Sequence, residues 1–267
     1  MTLTLIGSLI AILLYASASA YLAVRFYRQH PAQPPLSRVI AALALIVHGA
    51  SIYGLSVDAE GLRLGFFQSA SLIFWVINCV VLLSSLKKPL HNLFIPLFAF
   101  SALAVSAALL GRESGRLLPF DLGLYSHILL SITAYSLLTI ATLQALMLAW
   151  QHYQLKHKHA TGKVRLLPPL QTMEALLFEL LWAGQILLTL SILSGFWFLD
   201  NLFGQHLAHK SVFSIAAWTI YAVLLWGRHR LGWRGYTAIR WTLVGFSLLM
   251  LAYFGSKLVL ELILERA

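Results

Sequence analysis

The chain has 267 residues; 60% are hydrophobic, only 10% are charged, and the net charge is +10. A soluble globular domain carries about a quarter charged residues, so this composition excludes one and implies an integral membrane protein whose partner is the lipid bilayer. Excess Lys and Arg marks the cytoplasmic loops of such proteins, so the charge does not call for a nucleic acid. Cysteine occurs once, at Cys79, with no CxxC or CxxCH, which excludes an intramolecular disulfide, a thiol oxidoreductase and a c-type cytochrome.

Eight apolar segments follow one another at about residues 3–26, 37–57, 65–86, 93–110, 122–150, 173–199, 211–227 and 237–260. Each meets the length needed to span a bilayer. The expected fold is all-α: one polytopic membrane bundle of eight transmembrane helices, a single integral domain over 1–267. The first segment ends in the small-residue run ASASA, but no Lys or Arg precedes it, and the apolar run continues to Val24. A signal peptide needs a basic start, so a retained first helix is expected.

The loops set the orientation. One alternating set holds thirteen basic residues, among them Arg25, Lys87, Lys156 and Arg228, while the other holds six basic residues and seven of the nine acids. The basic set is expected in the cytoplasm, which puts both termini outside. His30, His91, His152, His157, His159 and His229 then face the cytoplasm. The run HYQLKHKH has metal-like spacing but sits among lysines, so a solvated basic loop is expected there.

His48 lies about 16 Å from the inner end of its helix, and His127 about 8 Å down from the outer end of the fifth. The two histidines can sit at similar depth in the outer half. His127, Ser131, Ala134, Tyr135, Leu138 and Thr142 share one small, mildly polar face, while Ile128, Leu129, Ile132 and Leu143 can face lipid. A polar face on a spanning helix normally turns into the bundle. His127 then either bonds to a neighbouring helix or ligates a metal, most plausibly a haem iron, and this helix alone favours the bond. His48 carries small neighbours, Ala44 and Ser51, and offers the same two readings. Two imidazoles at one depth suit haem, because imidazole is a standard axial ligand. His206 and His209 lie in an outer loop, with His209 a reserve ligand.

Other intramembrane polar residues are Asn78, Gln144, Glu179 and Gln185. Glu179 suits either a proton or cation path or a pair with Arg165 or Lys163. Lys257 and Glu261 can pair locally.

The run from His209, HKSVFSIAAWTIYAVLLWGRHRLGWRGYTAIRWTLVGFSLLMLAYFGSK, and the run SHILLSITAYSLLTIA around His127 carry a family likeness. With eight helices, they resemble the YpjD/HemX branch of the cytochrome c assembly superfamily that includes CcsA and CcmC. The resemblance implies haem handling at the outer face, where CcsA-type members use a tryptophan-rich WWD loop flanked by histidines. His127 falls where the first flanking histidine is expected. The chain departs from the pattern twice. The connection between the sixth and seventh helices is LDNLFGQHLAHK, without tryptophan, and FGSK stands where the second flanking histidine belongs.

The expected function is therefore a cytochrome c assembly-like protein of the bacterial inner (cytoplasmic) membrane that binds or passes haem near the outer leaflet. His127 and His48 are the expected iron ligands. No hydrolytic or redox constellation marks the chain as an enzyme. The alternatives are an accessory subunit of another membrane protein, which by family association includes CorC/CorB-type magnesium transporters, and a small-solute transporter using Glu179. Against the latter, no internal repeat or Gly/Pro-broken helix pair is visible.

Overall fold

A computed structural model describes residues 2–30, 34–58, 61–88, 90–111, 117–118, 121–157, 164, 166–198 and 208–255. Among these, eight long helices follow in order: α1 (Thr2–Tyr27), α2 (Pro34–Ser56), α3 (Phe66–Ser85), α4 (Phe94–Leu110), α5 (Leu122–Lys156), α6 (Leu170–Phe198), α7 (Ala208–Leu231) and α8 (Gly235–Met250). Seven are long and apolar enough to cross a bilayer, counting α8 with the turn that extends it. The remaining one, α4, has 17 residues and is preceded by a 3-10 turn at His91–Leu93. The protein is an all-α polytopic membrane bundle.

The helix ends follow local chemistry. Asp121 caps α5 by accepting from the Leu124 amide at 2.6 Å, a bond only a short polar side chain can make there. α5 does not stop near Trp150, as the apolar run implied, but continues to Lys156. Gln151–Lys156 is largely polar, yet four of its six residues (Gln151, Gln154, Leu155 and Lys156) are good helix formers, so the helix outlasts its hydrophobic stretch. Gly232 (φ +67), just after α7, and Gly235 (φ +54), at the first position of α8, take left-handed conformations, allowing a three-residue connection. α8 ends at Met250 and passes into a π-helical turn at Leu251–Gly255. Lys257 and Glu261 lie outside the described residues.

The chain divides into two compact units. The first holds α1–α4, which pack in a ring: α1 lies on α2 and α4, and α3 on α2 and α4. It also holds a small antiparallel sheet of β1 (Val57–Asp58), β2 (Gly61–Arg63) and β3 (Leu117–Leu118), which pattern reading does not anticipate. β1 pairs Val57 with Leu62, and β3 pairs Leu118 with Leu62. The second unit holds α5–α8, again in a ring, with α5 against α6 and α8, and α7 against α6 and α8.

Candidate functional site

In the first unit, His48 is fully buried on α2. Its Nδ1 lies 3.2 Å from the Tyr15 hydroxyl on α1, and its Nε2 lies 2.9 Å from the Ser71 hydroxyl on α3. The Tyr15 ring meets the imidazole edge-on at 5.5 Å. Three helices thus converge on one imidazole, and both of its nitrogens are engaged. Nearby, Ser8 and Ser51 join their hydroxyls between α1 and α2. Asn78 donates to Ser101 at 2.6 Å, between α3 and α4. Tyr15 and Ser71 carried no sequence signal of their own, because their role appears only when three helices meet.

In the second unit, the face of α5 predicted to turn inward does so: Ala134, Tyr135, Leu138 and Thr142 are buried. Leu129 is exposed as expected, but Ile132 is buried, because α5 is covered on a wider arc than the polar face alone. His127 is half-buried near the start of α5. Its Nδ1 lies 3.0 Å from Ser194 Oγ on α6, and the Ser131 hydroxyl is 3.5 Å from its Nε2. The second distance is too long for an effective hydrogen bond. Ser131 donates to the His127 carbonyl at 2.7 Å and lies 2.7 Å from Ser191 Oγ. Ser194 donates to the Ser191 carbonyl at 2.8 Å. Ser191 and Ser194 were missed from sequence. Their spacing of three on one spanning helix was the available signal, since it places two hydroxyls on one face.

One turn beyond Ser131, the Tyr135 hydroxyl donates to Met250 Sδ at the end of α8. The Tyr135 ring lies 5.7–6.0 Å from the rings of Phe246, Tyr253 and Phe254. Two of these partners lie in the π-helical turn, and Phe254 begins the FGSK stretch. His209 lies in the first turn of α7, but its side chain is outside the described part, as is His206.

On α6, Glu174 accepts from Arg228 of α7 at 2.8 Å. Glu179 is exposed on α6, and its expected partners Lys163 and Arg165 lie outside the described residues. Gln144 donates to the Met173 carbonyl and Gln185 to the Trp218 carbonyl, both tying helices together.

Chemically, an imidazole nitrogen without a close donor can ligate a metal. Among the described residues, no group of three or more His, Cys, Asp and Glu gathers in one place. A bare divalent ion therefore finds no cage among them. A haem carries its own four equatorial nitrogens and asks the protein for axial donors only, a demand that one imidazole can meet.

Residues 36–264 match the family described as cytochrome C assembly protein. The chain belongs to that family. It is 32% identical over 260 residues to the inner membrane protein YpjD of Escherichia coli K12, covering 96% of this chain and 98% of that one. It is 26% identical over 194 residues to protein HemX of Brevibacillus brevis, covering 71% and 64% of the two chains. It is also 26% identical over 140 residues to the cytochrome c biogenesis protein CcsA of Chlamydomonas reinhardtii, covering 52% and 38%. No solved structure gives a significant match. As a cytochrome c assembly family member with this helix content, the chain is a multi-pass protein of the inner membrane.

Proposed function

We propose that this protein binds haem near the outer leaflet through His127 Nε2 and holds or passes it without catalysing a reaction. The observation that carries the reading is the asymmetry of His127. One ring nitrogen is tied to Ser194 at 3.0 Å, while the Ser131 hydroxyl stays 3.5 Å from the other. Membership of the cytochrome c assembly family supports the choice of haem. The charge bias of the loops supports N-out and C-out termini, which place the start of α5 on the outer side. A reporter fused to the C-terminus tests this, and cytoplasmic activity there overturns the outer-leaflet placement.

His48 enters this reading differently from His127. To ligate a metal, His48 must give up its bond to Ser71 or to Tyr15. The reading therefore rests on His127, and His48 and His209 are tested separately.

The deciding experiment is the visible spectrum of the purified protein, as isolated and after titration with haemin. A Soret band that is lost or converted in His127→Ala supports the proposal. No band in the haemin-treated wild type, or an unchanged one in His127→Ala, overturns it. The protein is then better read as an accessory subunit of another membrane protein. His48→Ala and His209→Ala, read in the same assay, test whether either residue contributes to binding.

A further inference from the structure

The bonds around His127 can be assigned hydrogen by hydrogen. A serine hydroxyl has one hydrogen to give. Ser194 directs its hydrogen at the Ser191 carbonyl, 2.8 Å away, a group that can only accept. Toward His127 Nδ1, at 3.0 Å, the same oxygen is left as an acceptor. Nδ1 must then carry the ring proton. Ser131 likewise directs its hydrogen at the His127 carbonyl, so Ser191 is the donor across the 2.7 Å contact between the two hydroxyls. This arrangement uses all three hydroxyl hydrogens and leaves Nε2, among the described residues, with Ser131 Oγ no nearer than 3.5 Å.

The opposite tautomer does worse. With the proton on Nε2, Ser131 Oγ at 3.5 Å is beyond effective range as its acceptor. Ser194 would have to turn its hydrogen from the Ser191 carbonyl to Nδ1. One good bond is lost, and the Nε2 hydrogen gains no good partner in exchange. The arrangement with the proton on Nδ1 keeps both bonds.

We infer that Ser194 is a positioning residue: it fixes the His127 proton on Nδ1 and so presents Nε2 as the ligand atom. The purpose of this device rests on the haem reading above, but the proton placement does not. Ligating histidines commonly donate their second nitrogen to an acceptor that fixes the tautomer and the ring plane. Here that acceptor is a hydroxyl whose own hydrogen is held by a carbonyl on its helix.

The test uses the full chain in lipid bilayers, labelled with 15N-histidine, without added haem. Solid-state 15N spectra distinguish the two tautomers, and the difference from His127→Ala assigns the residue. The wild type is expected to show the Nδ1–H form alone. Ser194→Ala is expected to show a mixture or the opposite form, and Ser194→Thr, which keeps the hydroxyl, the wild-type pattern. In haemin titrations of the same samples, Ser194→Ala should bind about 10- to 100-fold more weakly than the wild type. A wild-type proton on Nε2, or an unchanged tautomer in Ser194→Ala, overturns the inference whether or not haem binds. The expected tautomers with no Soret band in the wild type uphold the Ser194 assignment and overturn the haem reading instead.

Discussion

The Arg228 guanidinium donates to Glu174 Oε1 at 2.8 Å and thereby ties α7 to α6. The same guanidinium lies 4.5 Å from the centre of the Phe178 ring and reaches the Trp233 carbonyl at 3.3 Å. The pair is partly exposed, with side-chain exposures of 27% and 16%. Its net coupling should therefore be modest, about 1 kcal/mol in a double-mutant cycle. Arg228→Ala should cost more than Glu174→Ala, because it also removes the ring and carbonyl contacts. Unfolding of both single variants and the double variant in detergent measures this.

His48→Ala should destabilise the first unit by about 1–2 kcal/mol, since it strips the partners from the Tyr15 and Ser71 hydroxyls inside the bundle. His127→Ala should cost less, because His127 is half-buried whereas His48 is fully buried. Thermal unfolding of the two variants side by side checks the order. Equal losses would mean that the Tyr15–His48–Ser71 convergence contributes little.

A β-carbon at Gly184 would sit 2.7 Å from Leu138 Cδ2 and 2.8 Å from its Cγ. Leu138 is fully buried, so it has nowhere to retreat. Gly184→Ala should destabilise the α5–α6 contact by about 1–3 kcal/mol. Combining it with Leu138→Ala should cost less than the sum of the two single losses, because each relieves the other. Strict additivity in the unfolding data would show that the helices simply move apart.

Asn78→Ala removes the donor to Ser101 and to the Phe74 carbonyl. Bonds of this kind inside membranes average about 0.6 kcal/mol and reach about 1.7. The loss should lie near the upper end, since Ser101 and Asn78 are both fully buried. Ser101→Ala, measured in the same way, should show a smaller loss because Asn78 keeps its bond to Phe74.

The helices were legible because each is a long apolar run with a charged or turn-forming boundary, and their ends fell within a few residues of expectation except in two places. α5 outran its apolar stretch through polar helix formers, and α8 gave way to a π-helical turn, which hydropathy cannot register. The β strands, of two and three residues, are too short to leave a period. At the candidate site, His127 and Ser131 were legible through their spacing on one helix. Ser191 and Ser194 come from another helix, and which faces meet is decided by packing. The same holds for Glu174, whose partner Arg228 comes from α7.

The pairing of Leu62 with Leu118 has a consequence for how the chain is threaded during synthesis. Leu62 is made before α3 and α4, and Leu118 after both. Until Leu118 appears, β2 keeps an open edge. The two strands can meet only if their loops arrive on the same side of the bilayer. α3 and α4 must therefore both cross or both fail to cross, so the short α4 inherits its topology from its longer neighbour.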